Sequence, residues 1–171
     1  VDRGDFPRVK GPFNSPGKRR FLYVGSAVKF KNLPYLSAIA QRCPGTEFSW
    51  IGGAVPLAGV RTLGFADFAD PRDQARVAEH DFMITVGDSD ANPTTILEAA
   101  AWGLIPVCTP QSGYEGEPGM VNVPLGDVER AARIVEDLQS CPDERLVALR
   151  AASDPRLAGH YKWGRVRSQG G

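Results

Sequence analysis

The sequence contains little cysteine and little histidine: three cysteines and two histidines among 171 residues. Cys43, Cys108 and Cys141 are too few and too widely spaced for a disulfide framework, and no Cys-x-x-Cys pair suggests zinc. His80 and His160 have no Ser or Cys at the spacing of a hydrolytic triad, so that class of enzyme has little support. This cysteine usage fits a reducing, intracellular setting.

The chain also lacks excess charge and long apolar runs. Its 20 Lys and Arg residues are balanced by 20 Asp and Glu residues, which gives no electrostatic reason to expect a nucleic-acid or anionic-membrane partner. No stretch approaches the roughly 20 apolar residues that a membrane span requires. The basic run Lys18-Arg19-Arg20 is expected to be solvated at the entrance to a strand, because charges stay in water.

Short apolar runs alternate with amphipathic segments between residues 20 and 157. Because the strand candidates are continuously apolar, they predict a three-layer α/β domain with a mainly parallel sheet and helices on both faces. Residues 1–19 are rich in Pro, Gly and charge, which is linker composition. The predicted strands are 21–24, 48–51, 60–63, 82–86, 104–108 and 121–123, and the predicted helices are 32–42, 73–80, 93–102, 127–139 and 143–152.

The most informative segment is residues 87–100, where a polar loop leaves a strand and enters a helix. Asn92 suits the N-cap and Pro93 the first helical position. The unpartnered N–H groups at such a helix start attract phosphate or sugar hydroxyls. Asp90 precedes the helix and Glu98 lies on its second turn, although this spacing also fits a loop acid and an ordinary surface glutamate.

Two other loops follow strands on the same expected edge of the sheet. Residues 25–32 combine a glycine with Lys29 and Lys31, which would suit a diphosphate, although lysines on a turn are also commonly just solvated. This loop is neither a P-loop nor a GxGxxG fingerprint. Residues 109–116 contain Gly and Ser that would allow close approach to a ligand, or form only a tight connection.

Taken in order, these segments resemble the C-terminal domain of the retaining group 1 glycosyltransferases of GT-B fold, a Rossmann-like domain. Each segment alone is weak, but their order and spacing are specific. The matching segments are Val1-Asp2 (the hinge Asn-Gly-Val-Asp), 21–31 (VGRLVxxKG), 63–65 (the turn near the nucleotide base), 81–84 (DVFVLPS), 90–98 (two glutamates separated by seven residues) and 99–107 (EAMACGLPVV).

The resemblance implies a domain of a hexosyltransferase that binds a nucleotide-diphosphate sugar and transfers the sugar with retention. The donor would lie in a cleft shared with an N-terminal acceptor-binding domain, and the chain by itself would be inactive. Residues 1–19 would be the interdomain hinge, 20–157 the nucleotide-sugar-binding domain, and 158–171 a tail returning toward the missing domain. The expected setting is cytoplasmic polysaccharide or glycoconjugate biosynthesis, with any membrane association through the missing domain.

The same resemblance assigns roles to individual residues. Glu98 would hydrogen-bond the ribose, Asp90 would contact the transferred sugar, and Lys31 would neutralise the departing diphosphate. These three are the candidate catalytic residues, and the resemblance implies no metal and no cofactor besides the nucleotide-sugar substrate. The other expected donor contacts are Gly25, Ser26, Lys29, Gly64, Phe65, Ala91, Asn92, Pro93 and Thr94.

Two positions depart from the family pattern. Ser26 replaces an arginine that binds the diphosphate, and Asp90 is one methylene shorter than the family's glutamate. Lys29 would replace the arginine only in part, because an ammonium lacks bidentate geometry. An alternative is therefore a degenerate, non-catalytic nucleotide-sugar-binding or domain-packing module. A flavodoxin-like receiver domain would need acids after the first strand, where Lys29 and Lys31 stand.

Overall fold

The strands in the described part of the chain form one six-stranded sheet in the order β3-β2-β1-β4-β5-β6, and every named pair is parallel. The computed structural model describes residues 10–25, 32–53, 55–67, 69–87, 99–110 and 119–152. The strands are β1 Arg20–Val24, β2 Glu47–Ile51, β3 Val60–Gly64, β4 Phe82–Thr85, β5 Ile105–Cys108 and β6 Val121–Asn122. The helices are α1 Leu33–Arg42, α2 Pro71–Ala78 and α3 Val128–Ser140, and residues 99–102 and 143–152 are also helical.

The helices cover both faces of the sheet, as the sequence predicts. Successive residues of β1 point to opposite faces of the sheet, so Phe21 belongs to one buried cluster and Leu22 to the other. The Phe21 cluster includes Leu36 of α1 and Val135 of α3. The Leu22 cluster includes Val77 of α2. The predicted Rossmann-like architecture is therefore confirmed.

Stacked phenylalanines form the centre of the larger cluster. The ring of Phe21 lies 4.5 Å from that of Phe82 and 5.1 Å from that of Phe48, measured between centroids. All three rings come from adjacent strands in direct register. Such pairs stabilise a core beyond the area they bury, so this face fixes the alignment of the three central strands.

One helix begins earlier than predicted. The expected segment was 73–80, but α2 runs Pro71–Ala78 because Asp70 caps it, accepting a hydrogen bond from the Arg72 N–H, and Pro71 occupies its first turn. A capping carboxylate and a proline in the first turn are strong helix-start signals, and here they precede the predicted segment. The consequence is that His80 lies in the connection to β4 and not in the helix.

The expectation that the basic run is solvated is wrong for Arg19, which is 1% exposed. Its guanidinium donates to the carbonyl oxygens of Leu138 and Cys141 and to the carboxylate of Asp143. Carbonyls at a helix C-terminus lack partners within the helix. A buried cation is therefore tolerated where α3 ends.

The described part of the linker segment lies against the domain. The backbone N–H of Lys10 donates to the Trp102 carbonyl at 2.9 Å, and that of Gly17 donates to the Gln139 carbonyl at 2.9 Å. Residues 1–9, and the predicted tail from residue 158 onward, lie outside the described residues. The hinge and tail assignments stay predictions.

All three cysteines are buried, and none of them forms a disulfide. Cys108, in the apolar strand β5, is fully covered. Burial is the larger cause, and the negative charge of Glu136 the smaller one, of a pKa of the Cys43 thiol that is raised to about 11. In the described residues no helix is long and apolar enough to cross a membrane.

Candidate functional site at the carboxyl edge of the sheet

The strand order reverses between β1 and β4, and this point defines the candidate site. Beside β1 the sheet continues with β2 and then β3, and beside β4 it continues in the other direction with β5 and then β6. The connections that leave β1 and β4 therefore diverge, and parallel sheets bind ligands in the crevice that opens there. The two predicted donor loops, 25–32 and 87–100, follow these two strands.

Asn32 connects the two sides of this switch point. Its side-chain Nδ2 donates to the Val86 carbonyl at 3.2 Å, so the start of α1 is tied to the exit of β4. Asn32 adopts the left-handed conformation, with φ 62°, and its side chain makes no capping hydrogen bond to α1. Asparagine tolerates this conformation better than most residues. Sequence reasoning took Asn32 only as the start of a helix and missed this contact.

The exits of β1 and β2 pack backbone against backbone. The Gly25 N–H donates to the Ile51 carbonyl at 3.0 Å, and the Gly25 carbonyl accepts the indole N–H of Trp50 at 2.8 Å. A Cβ on Gly52 would lie 2.5 Å from the Gly25 oxygen, so this approach requires glycine. Gly25 shapes the exit of β1, while its own N–H and carbonyl are both bonded within the sheet edge.

Gly52 also joins this exit to the predicted base turn. Its N–H donates to the Gly64 carbonyl at 2.8 Å. Gly64 has φ +79°, a conformation that a side chain would strain. The next residue, Phe65, is 73% exposed, the most exposed large apolar side chain in the described residues. The structure thus places Gly25, Gly64 and Phe65 at one edge of the sheet, and their contacts with a donor stay predictions.

Thr109 fixes the residue that opens the second donor loop. Its hydroxyl donates to the Gly87 carbonyl at 2.8 Å, and its N–H donates to the Thr85 carbonyl at 3.3 Å. Thr109 is fully buried. Sequence reasoning placed it only at the start of a third loop, because nothing in the chain shows that this hydroxyl faces the neighbouring strand.

The remaining predicted site residues lie outside the described residues, so their roles stay predictions. They are Ser26, Lys29, Lys31, Asp90, Ala91, Asn92, Pro93, Thr94 and Glu98. Within the part of the chain that the structure does describe, no group of three or more His, Cys, Asp or Glu side chains could hold a metal ion.

His80 and Asp81 lie at the opposite, amino edge of the sheet. Asp81 N–H donates to the Arg20 carbonyl at the start of β1. His80 is 2% exposed, and its Nδ1 lies 2.9 Å from the Arg76 carbonyl oxygen. Burial lowers the pKa of His80 below its ordinary value.

The architecture and this sheet edge define the class as one Rossmann-like half of a GT-B structure, which the comparison with solved structures bears out. Sucrose-phosphate synthase from Thermosynechococcus elongatus matches at a TM-score of 0.75 and 15% identity, over 99% of this chain and 49% of its own. HepE from Anabaena, in complex with UDP and glucose, matches at a TM-score of 0.72 and 13% identity, over 93% of this chain and 50% of the HepE chain. A UDP-forming α,α-trehalose-phosphate synthase from Burkholderia xenovorans matches at a TM-score of 0.69 and 14% identity, over 82% of this chain and 41% of the synthase chain.

These matches establish the fold, because the identities are low. The chain spans about half or less of the length of the solved chains that it matches. A scan against protein-family models and a search of curated protein sequences gave no significant match.

Proposed function

We propose that the chain is the donor-binding domain of a glycosyltransferase that transfers a hexosyl group from a nucleotide-diphosphate sugar, with retention. One observation carries the proposal: the strands that precede the two predicted donor loops, β1 and β4, are the neighbours at which the strand order reverses. The solved structure of HepE, which shares the fold, contains UDP and glucose. The proposed setting is cytoplasmic polysaccharide or glycoconjugate biosynthesis.

The order of the strands sets the order of the proposed contacts along the donor. For the base, the diphosphate and the transferred sugar, the proposed contacts follow strands in that order: Phe65 follows β3, Lys29 and Lys31 follow β1, and Asp90 follows β4. The exits of β3 and β4 are three strand spacings apart, about 14 Å. An extended nucleotide-diphosphate sugar covers such a span, with its base at Phe65 and its sugar at the far end.

Each proposed contact has a chemical reason. The exposed ring of Phe65 offers the base an apolar face. The ammonium of Lys31 offsets the negative charge that develops on the departing diphosphate. Lys29 adds a second cation, while Glu98 accepts hydrogen bonds from the ribose hydroxyls and Asp90 contacts the transferred sugar. Because the Gly25 N–H is already bonded to the Ile51 carbonyl, backbone N–H contacts to the diphosphate come from the residues that follow it.

Titration of the chain with UDP, GDP and ADP, and with their sugar conjugates, tests this proposal by NMR. We expect chemical-shift changes at Lys29, Lys31, Phe65 and residues 90–98 for at least one nucleotide. The helical residues 143–152 provide an internal reference, since they are not part of the proposed site. No change at the donor residues at millimolar nucleotide contradicts the proposal.

The chain by itself is proposed to be inactive in transfer. Holding reactants in near-attack geometry is worth roughly 7–11 kcal/mol, and half of a cleft does not supply it. Incubation with a nucleotide sugar should release at most a trace of free nucleotide. Robust transfer by the purified chain contradicts this part of the proposal.

A second candidate function is a non-catalytic module that binds a nucleotide sugar or only packs against another domain. Ser26 and Asp90 favour it, because each weakens a contact that the resemblance assigns to catalysis. An assay of the chain joined to its proposed N-terminal domain distinguishes the catalytic function from the non-catalytic one. A catalytic pair consumes the donor when an acceptor is present, whereas a degenerate pair binds the donor without consuming it.

A further inference from the structure

The side chain of Arg76, on α2, reaches the end of β3. Its Nη2 donates to the Leu63 carbonyl at 2.6 Å, and its Nη1 donates to the Asp73 carboxylate at 3.0 Å. The Arg76 side chain is 31% exposed and that of Asp73 19%. A planar guanidinium can hold two acceptors in fixed directions at once, so Arg76 orients both the strand end and the carboxylate.

The same carboxylate holds the other side of the base turn. The second oxygen of Asp73 accepts the Asp67 N–H at 2.8 Å. Leu63 and Asp67 flank Phe65 by two residues on each side, and the Gly64 carbonyl between them is bound by the Gly52 N–H. The backbone around Phe65 is thus fixed while its side chain is 73% exposed.

We propose that Arg76 and Asp73 are positioning residues that present Phe65 to the nucleotide base. The inference rests on the proposed function, because it assumes that a nucleotide binds at this edge. Ordering a flexible turn during binding costs affinity, and a turn held in advance avoids that cost. Neither residue contacts the donor itself, so both act through Phe65.

Three single variants of the chain test the inference, using UDP, GDP and ADP as nucleotides and inorganic pyrophosphate as the probe without a base. Phe65→Ala removes the stacking of the base on an aromatic ring, so we expect it to lower nucleotide affinity by about fivefold to a hundredfold. Arg76→Met should lower nucleotide affinity by about fivefold or more. Pyrophosphate affinity should stay unchanged in both. Arg72→Met is the matched control, since that side chain is on α2, is 90% exposed and pairs with Asp70.

The double variant separates positioning from general damage. If Arg76 acts through Phe65, then Arg76→Met should cause no further loss of nucleotide affinity once Phe65 is alanine. A purely structural role of Arg76 would persist in that background and would weaken pyrophosphate as well. Thermal unfolding of each variant identifies any that does not fold.

Two conservative variants keep the inference testable if Arg76→Met is unstable. Arg76→Lys retains the charge but reaches only one acceptor, so it should recover part of the nucleotide affinity. Asp73→Asn should resemble Arg76→Met, because it weakens the hydrogen bonds that the Asp73 carboxylate accepts from Arg76 and from the Asp67 N–H. Wild-type chain that binds none of the three nucleotides overturns the proposed function together with the inference. Wild-type chain that binds through Phe65 but is unaffected by Arg76 and Asp73 variants overturns the inference alone.

Discussion

The ammonium of Lys10 lies 3.3 Å from the carboxylate of Asp81, and both side chains are buried, at 4% and 0% exposure. The same carboxylate accepts the N–H and side-chain amide of Asn14 and the N–H of Arg20. A second bond of the ammonium goes to the Ala78 carbonyl at the end of α2. This network attaches the described part of the proposed hinge to the amino edge of the sheet.

We expect Asp81→Asn to lower the free energy of unfolding by about 3–5 kcal/mol, because it leaves the Lys10 charge buried without its counter-ion. Urea denaturation at neutral pH measures the loss. Asp137→Asn is the control: its carboxylate is 69% exposed and pairs with Arg145, so the change should stay within about 1 kcal/mol. Equal effects of the two substitutions would show that the buried pair has no special role.

Gly53→Ala should destabilise the fold by about 1–3 kcal/mol through overpacking. A Cβ at Gly53 would lie 2.0 Å from the Trp50 ring, whose indole N–H holds the Gly25 carbonyl. The matched control is Gly11→Ala, where a Cβ would have no neighbour within 4 Å. Chemical denaturation of both variants gives the comparison, and a Gly53 variant as stable as the Gly11 variant would contradict the packing described for this edge.

His80 should make the fold less stable in mild acid. Burial lowers its pKa in the folded chain, so the unfolded chain takes up a proton at about the ordinary value of 6.5 while the folded chain resists it. The His80 contribution to stability is therefore complete above that pH and is lost as the pH falls below it. The neighbouring charges are those of Glu47, Glu79 and Arg20.

The comparison of wild type with His80→Gln measures this effect. The difference in the free energy of unfolding between about pH 7.5 and about pH 5.5 should be smaller in the variant, which has no imidazole to protonate. Identical pH profiles would mean that protonation of His80 does not oppose folding.

Ser26→Arg should strengthen nucleotide binding if Ser26 faces the diphosphate. A charge-assisted contact of about 1.5–3 kcal/mol corresponds to a gain of about tenfold or more. Lys31→Ala should lose a comparable amount, and Glu98→Gln should lose less because the ribose contact is weakened and not removed. Calorimetry at fixed ionic strength suits this comparison, since diphosphate binding depends on salt. Unchanged affinity in both the Ser26 and Lys31 variants, with folding intact, would remove this loop from the donor site.

The sequence by itself determined the strands, most helix positions and the parallel fold. Those features follow from local patterns: Phe21 and Leu22 lie in a continuous apolar run because both faces of β1 are covered. The turn at residues 63–65 was singled out only through the resemblance of its short motif, and its contact with a base stays a prediction.

Only the tertiary structure decided how the polar residues are used. Arg19 was expected in water, yet it meets carbonyls about 120 positions away in the chain, at Leu138 and Cys141. Asn32 and Arg76 each bond a backbone carbonyl of a different element. Apolar burial depends on periodicity, which a sequence displays. A polar contact depends on two particular atoms meeting at about 3 Å in a fixed direction, and that meeting exists only after the chain has folded.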